Sequence, residues 1–366
     1  MELVTGEWLP RFGGLADLIR NRVEDGTDLG CGVTVIAHGE VLVDIRAGYA
    51  DRKKTTAFDD PLLCVYSAGK AVLSALVMRA VSDGHLDYDQ RIAEWWPAFG
   101  ANGKDQLTLG QVLSHQAGLP GFVEETDPAI WLDWEATCAR LAEMAPLWPP
   151  GTAHGYHPQT VGYLGGEILR RATGETVGQQ LISLGVDVHC GMAPEQQARA
   201  GFMQKPSAAP DLGPLDELKR AAFLLPWSSA ARVSRDAWMA AEIPASNMHA
   251  TSRGLAEVMQ AFATGMLHGR PFASTDAREA AMAERVSGPD RVLPFDLAWA
   301  AGLMRNRGGH LGPSADAVGH YGFGGSFVVA DPGEGLSIAY VPNKMEPILV
   351  GGPRATNLLD EIYRVL

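Results

Sequence analysis

The sequence has little of what a secreted, membrane-spanning or nucleic-acid-binding protein needs. Basic residues number 30 against 43 acidic ones, and the formal charge of −13 disfavours nucleic acid and anionic membrane surfaces as partners. No apolar run reaches the length of a membrane span, and Met1–Trp8 lacks the basic and apolar regions of a signal peptide. We therefore expect a cytoplasmic protein. Its four cysteines lack the spacing of a metal site or a disulfide framework: Cys31, Cys64, Cys138 and Cys190.

Three common motifs of catalytic or cofactor sites are also absent. The sequence contains no His-Glu-x-x-His, no Gly-x-Ser-x-Gly and no Gly-x-x-x-x-Gly-Lys-(Ser/Thr). Their absence disfavours zinc proteases, α/β-hydrolases and P-loop nucleotide-binding proteins. We expect neither a metal nor another cofactor.

Strand patterns occur near both ends of the chain, with helical patterns between and beside them. Apolar, β-branched runs bounded by turn residues predict strands, and apolar residues at helical spacing predict helices. The predicted strands are Cys31–Ala37, Val41–Gly48, Leu297–Met304, Ser326–Ala330 and Leu336–Val341. The main predicted helices are Leu9–Val23, the apolar stretch after Ser67, Thr108–Leu113, Val161–Leu169 and Ala355–Leu366.

This distribution predicts an α+β fold in two domains, as a chain of 366 residues allows. Residues 1–85 and 245–366 together form a discontinuous α/β domain, and residues 86–244 form an inserted, all-helical domain. Within the second, the proline-rich and irregular stretch around residues 191–229 is predicted to be a flap over a pocket, because loops of this length are usually functional or mobile.

The tetrad Ser67-Ala68-Gly69-Lys70 opens a long apolar helix. A serine three residues before a lysine places hydroxyl and ammonium on the same helical face, within hydrogen-bond reach. A lysine in this apolar setting needs a partner, and Ser67 and Tyr156 are the natural ones. Lowering the pKa of that lysine would help it to activate the serine as a nucleophile.

Three further segments accompany the tetrad: Leu113–Pro120 (LSHQAGLP), Tyr156–Gln159 (YHPQ) and Gly319–Ser326 (GHYGFGGS). In order, content and spacing, these segments and the tetrad resemble the serine β-lactamase and penicillin-binding-protein superfamily, in particular its class C-like family VIII carboxylesterases. The resemblance extends from about Gly30 to Asn343. It implies a β-lactamase-like α/β sandwich, an antiparallel sheet flanked by helices, with the catalytic pocket between the two domains.

The resemblance also implies roles for individual residues. Ser67 is the acyl-forming nucleophile, Tyr156 is the base that takes its proton, and Lys70 assists. Which of Tyr156 and Lys70 is the formal base stays open at this point, and Tyr163 is a weaker competitor for the tyrosine role. The oxyanion hole is predicted from the backbone N–H groups of Ser67 and Phe323.

Two departures from the lactamase pattern concern the substrate. Pro158 stands where the family carries an asparagine, and His320-Tyr321-Gly322 stands where lactamases carry Lys-Thr-Gly. Because histidine is largely neutral at pH 7, a permanent cation for a lactam carboxylate is missing. We predict that the substrate is contacted by His320, Tyr321, Gly322, His157 and Tyr66, with Trp227 as a further aromatic of the pocket.

The sequence thus predicts a carboxylesterase that cleaves small, short-chain esters through a Ser67 acyl-enzyme. Four alternatives stay open: a weak β-lactamase, a D-amino-acid peptidase or amidase, an acyltransferase, and a non-catalytic ligand-binding protein. The expected partner is a small-molecule ester. We expect no nucleic-acid or membrane partner, and a monomer or homodimer.

Overall fold

The computed structural model describes residues 2–225 and 233–366. Apolar and β-branched runs form most of the strands, which are β1 (Val4–Trp8), β2 (Gly30–Ala37), β3 (Glu40–Gly48), β4 (Leu63–Cys64), β5 (Val188–His189), β6 (His249–Ala250), β7 (Met266–Leu267), β8 (Arg270–Pro271), β9 (Val286–Pro289), β10 (Asp296–Trp299), β11 (Met304–Arg305), β12 (Val318–Tyr321), β13 (Phe327–Asp331) and β14 (Leu336–Pro342).

The main sheet is antiparallel and joins the two ends of the chain. Its order is β1-β3-β2-β14-β13-β12-β11-β10-β9. Strand β2 pairs with β3 through a tight hairpin, and its other edge pairs with β14 from Cys31 opposite Pro342 to Ala37 opposite Leu336. The prediction that both chain ends contribute to one antiparallel sheet is therefore confirmed.

The α-helices are α1 (Gly13–Glu24), α2 (Gly69–Ser82), α3 (Leu109–Leu113), α4 (Trp134–Glu143), α5 (Thr160–Thr173), α6 (Val177–Leu184), α7 (Pro194–Ala198), α8 (Glu217–Lys219), α9 (Arg235–Ala240), α10 (Ser252–Thr264), α11 (Thr275–Met282) and α12 (Pro353–Tyr363). Short 3₁₀ turns lie at Pro10–Phe12, Tyr66–Ala68, Ile92–Glu94, Pro97–Gly100 and Pro128–Leu132, and a π-helical turn at Arg220–Leu224.

Helices cover both faces of the sheet. Apolar side chains of α1 and α12 pack on one face, and those of α2 and α10 pack on the other. Helix α2 is apolar on nearly all sides because it lies between the sheet and α5. This arrangement confirms the predicted α+β class, an antiparallel sheet flanked by helices.

The structure departs from one local prediction and adds elements in two other places. The apolar run Leu297–Met304 is not one strand, since the chain turns between β10 and β11 at Gly302, which has a φ of +82°. The N–H of Gly302 donates to the carbonyl of Leu113, so the turn is fixed against α3. Strand β1, with its central glycine, was not predicted. The stretch 191–229 contains α7, α8 and the π-helical turn, while residues 226–229, with Trp227, lie outside the described residues.

The described residues contain no helix that is both long and apolar enough to cross a membrane. The domain boundaries, the flap and the cytoplasmic location stay predictions.

Candidate active site

Ser67 lies where the chain enters α2. Strand β4 leads into the 3₁₀ turn Tyr66–Ala68, and α2 begins at Gly69. Tyr66 has a φ of +48°, in the left-handed region that side chains other than glycine rarely adopt. The turn leaves Ser67 partly exposed at a helix N-terminus, where free N–H groups favour negative charge.

The ammonium end of Lys70 is enclosed by three oxygen atoms. Its Nζ lies 2.8 Å from Ser67 Oγ, 2.7 Å from the carbonyl oxygen of Pro158 and 2.9 Å from that of Ala245. The residue is 2% exposed, and burial alone lowers the pKa of Lys70 well below its ordinary value. Lys70 is therefore biased toward the neutral amine.

Tyr156 is the second residue that contacts Ser67. Its hydroxyl donates to Ser67 Oγ at 2.6 Å, so the serine oxygen contacts Tyr156 and Lys70 together. Burial is the main reason why the pKa of Tyr156 is raised, while the bond to Ser67 acts against it. Tyr163, the weaker candidate, donates instead to the carbonyl of Trp131 within the helical region and does not reach Ser67.

The turn after β12 packs directly on the Ser67 turn. A Cβ atom at Gly322 would lie 2.2 Å from the carbonyl oxygen of Val65, so glycine alone permits this approach. Phe323 lies in the turn rather than on a strand, with its ring edge-on to Tyr66 at 5.7 Å. In the described part of the chain, the backbone N–H groups of Ser67 and Phe323 donate to no other group. Both N–H groups are therefore unpaired in the described part of the chain.

His320 and Tyr321 point to opposite faces of β12. His320 lies 6.1 Å from Tyr156, ring centre to ring centre, and burial lowers the pKa of His320 to about 3, so the ring is neutral at pH 7. Tyr321 packs on Phe327 on the other face, and its hydroxyl donates to the carbonyl of His310. Alternation along a strand thus separates the two, and the predicted substrate contact of the Tyr321 side chain is corrected.

The predicted substrate contact of His157 is also corrected. It is 0% exposed, its Nε2 accepts the N–H of Leu119 at 2.8 Å, and its Nδ1 bonds to the carbonyl of Gly155 at 2.6 Å. Burial lowers the pKa of His157 to about 3, and both nitrogens are used by the backbone. Its position next to Tyr156 in the sequence does not bring it into the pocket.

Three residues near Tyr156 were missed from the sequence. The carboxylate of Asp290 accepts the backbone N–H of Tyr156 at 2.9 Å. The ring of Trp299 lies parallel to that of Tyr156, 5.7 Å away at 11°. Phe223, on the π-helical turn, stacks on Tyr156 at 6.5 Å. None belongs to a recognisable motif, so no local signal indicated them.

No metal site accompanies this cluster. Within residues 2–225 and 233–366, no three histidine, cysteine, aspartate or glutamate side chains come together as metal ligands do.

Comparison with known proteins identifies the family of the chain. The family model described as Beta-lactamase matches residues 15–361. The chain belongs to the beta-lactamase family. A curated relative, the Esterase/beta-lactamase LipL of Mycobacterium tuberculosis (strain ATCC 25618 / H37Rv), is 31% identical over 343 residues, which cover 88% of this chain and 78% of LipL.

Two solved structures of the family are similar along the entire length. A penicillin-binding protein homologue from Caulobacter crescentus is 45% identical with a TM-score of 0.96, covering 99% of this chain and 100% of the homologue. A family VIII carboxylesterase is 32% identical with a TM-score of 0.93, covering 100% of both chains. The protein is therefore an enzyme of the β-lactamase-like serine hydrolases, of the esterase or β-lactamase type.

Proposed function

We propose that this protein is a carboxylesterase that cleaves small, short-chain esters through an acyl-enzyme on Ser67. The observation that carries the proposal is the pair of contacts at Ser67 Oγ, 2.6 Å to the Tyr156 hydroxyl and 2.8 Å to Lys70 Nζ. A serine becomes nucleophilic when one neighbour can take its proton and another can return one. Lys70 and Tyr156 together offer Ser67 one group that can take a proton and one that can return it.

The surroundings of Lys70 favour it as the group that takes the proton. A neutral amine has two N–H bonds and one lone pair. The carbonyls of Pro158 and Ala245 can only accept, so they use the two N–H bonds. The lone pair is then left for the hydroxyl of Ser67. Burial favours this neutral amine, and it also favours the protonated phenol of Tyr156 over a phenolate.

The reaction then proceeds in two steps, acylation and deacylation of Ser67. The proton of Ser67 moves to Lys70 as Oγ bonds to the ester carbonyl carbon. The C–O bond to the alcohol breaks, Tyr156 protonates the leaving oxygen, and the Lys70 ammonium restores the proton of Tyr156. Water then gives one proton to Lys70 as its oxygen bonds to the acyl carbon. The bond from that carbon to Oγ breaks, and Lys70 returns the proton to Ser67 as the acid leaves. The N–H groups of Ser67 and Phe323 bind the oxyanion in both steps.

The lining of the site supports an ester rather than a β-lactam as the main substrate. His320 is neutral and Pro158 has no side-chain amide, so the groups expected to hold a lactam carboxylate and acylamino group are missing. Tyr66, Phe323 and Phe223 offer partly exposed aromatic surface for an apolar acyl group. The family VIII carboxylesterase among the similar structures supports the same choice.

Weak β-lactamase activity is the second candidate, because the relative LipL is named both an esterase and a β-lactamase. We also propose that the substrate is a free small molecule, with neither nucleic acid nor membrane as partner. The formal charge of −13 supports this.

The test is hydrolysis of p-nitrophenyl esters from acetate to decanoate, beside the chromogenic cephalosporin nitrocefin, by the wild type and Ser67→Ala. Fast turnover of short esters, slow nitrocefin turnover and loss of both in the variant support the proposal. Dominant nitrocefin turnover identifies a β-lactamase instead. Reaction of Ser67 with a fluorophosphonate probe, without turnover of either substrate, points to an amidase or acyltransferase. No labelling at all indicates a binding protein.

A further inference from the structure

Asp290 is a buried carboxylate that no motif accounts for. It follows β9, and its side chain is 0% exposed. One oxygen, Oδ1, accepts three backbone N–H groups at 2.9 Å each, from Tyr156, Val292 and Leu293. A buried carboxylate is costly unless such donors compensate it. One of the three comes from the residue whose hydroxyl contacts Ser67, so Asp290 does more than shape its own loop.

The second oxygen of Asp290 lies beside two aromatic side chains, those of Trp299 and His154. Its Oδ2 lies 3.4 Å from Trp299 Nε1 and 3.8 Å from Nε2 of His154. The Trp299 ring is the surface that lies parallel to the Tyr156 ring. One carboxylate therefore contacts both the backbone of Tyr156 and the indole on which its phenol stacks.

The loop that carries Asp290 is also fixed to the segment before Tyr156. The N–H of Arg291 donates to the carbonyl of His154 at 3.0 Å. A Cβ atom at Gly155 would lie 3.0 Å from the Cβ of Arg291 and 3.2 Å from a methyl of Val292, so the two segments are in close contact. Without Asp290, the Tyr156 N–H in this contact would lose its acceptor.

The charge of Asp290 also affects the protonation of Tyr156. After burial, which is the larger cause, Asp290 contributes to raising the pKa of Tyr156, so the phenol keeps its proton. A protonated phenol is what a leaving oxygen needs from Tyr156.

We infer that Asp290 is a positioning residue that orients Tyr156 and Trp299 so that the phenol can protonate the leaving alcohol. The inference rests on the proposed esterase function. It predicts that changes at Asp290 harm esters of poor leaving groups, which need protonation, more than p-nitrophenyl esters, which need it little.

The test compares Asp290→Ala and Asp290→Asn with the wild type on ethyl butyrate and p-nitrophenyl butyrate. Alanine removes every contact, whereas asparagine keeps an oxygen for the three N–H groups but places an amide N–H opposite the Trp299 N–H. We expect kcat/KM of Asp290→Ala to fall about tenfold on p-nitrophenyl butyrate and about a hundredfold or more on ethyl butyrate, because kcat/KM includes the step that releases the alcohol. Asp290→Asn is expected to lie between the wild type and Asp290→Ala.

Glu167→Gln is the matched control. Glu167 is another buried carboxylate, bonded to Trp134, Arg170 and Arg171 away from Ser67. We expect its ratio of the two ester rates to equal that of the wild type. Fluorophosphonate titration of active enzyme corrects each rate for unfolded protein. If Asp290→Ala fails to fold, the ratio of the two ester rates in Asp290→Asn tests the positioning role.

The outcomes separate this inference from the proposed function. Equal losses on both esters in the Asp290 variants overturn the positioning role and leave an ordinary structural one. A wild type that hydrolyses neither ester overturns the esterase proposal itself.

Discussion

Lys70 and Lys104 are both buried lysines, and comparing them shows what the site adds to burial. Lys70 is 2% exposed and Lys104 is 0% exposed. Each donates to two backbone carbonyls: Lys70 to those of Pro158 and Ala245, Lys104 to those of Ala101 and Met144. Burial lowers the pKa of both amines, that of Lys104 to about 8.

The two lysines differ in the contact that each makes with the residue three positions before it. Position 67 presents a serine hydroxyl to Lys70, whereas position 101 presents only a backbone carbonyl to Lys104. The ring of Phe99 also lies beside Lys104, with its centre 5.4 Å from Nζ. Burial alone yields a lysine that loses its proton easily. A base for catalysis requires, in addition, a hydroxyl in the direction of the lone pair.

The largest expected effect comes from replacing each lysine by methionine. Lys70→Met removes the proposed proton acceptor of Ser67, so kcat/KM for p-nitrophenyl butyrate is expected to fall about 10³-fold. Lys104→Met is expected to change kcat/KM by less than about twofold, because Lys104 contacts no reacting group. Steady-state kinetics on folded protein measure both. A comparable loss in the two variants would remove the distinction.

A smaller effect is expected from the tyrosine beside Lys70. Tyr156→Phe removes the hydroxyl that donates to Ser67 Oγ, and kcat is expected to fall about a hundredfold while Lys70 stays in place. Tyr163→Phe is the control, since it also removes a buried tyrosine hydroxyl bond, with an expected cost of about 1 kcal/mol in stability and unchanged kcat. If Tyr156→Phe keeps wild-type kcat, Lys70 alone handles the protons.

The smallest effect concerns stability and pH at Lys104. Its folded-state pKa of about 8 lies below the ordinary 10.5. Below the lower value, both states carry the proton. Between the two values, the unfolded chain keeps a proton that the folded chain has lost, so the free energy of unfolding rises with pH. Urea unfolding of the wild type and Lys104→Met should show a difference that shifts in favour of the wild type through this window. A constant difference contradicts the depressed pKa.

Much of the fold was predictable from local patterns. The hairpin β2-β3, the strands β13 and β14, and the helices α1, α2, α5 and α12 follow runs of apolar residues with strand or helix spacing. The prediction was wrong at Leu297–Met304, where apolarity alone cannot show a turn that is fixed by contact with Leu113. It was also wrong for His157 and Tyr321, since proximity to a motif does not say which way a side chain points.

The sequence by itself determined the Ser67–Lys70 pair, because three residues along one helical turn bring two side chains to the same face whatever the rest of the chain does. Only the tertiary structure decided what surrounds that pair. Tyr156 is 89 residues from Ser67, Ala245 is 175 residues from Lys70, and Asp290 is 134 residues from Tyr156. Such contacts have no local geometry to fix them. They form because β2 and β14 join the ends of the chain into one sheet, and α2 and α5 pack together beside it.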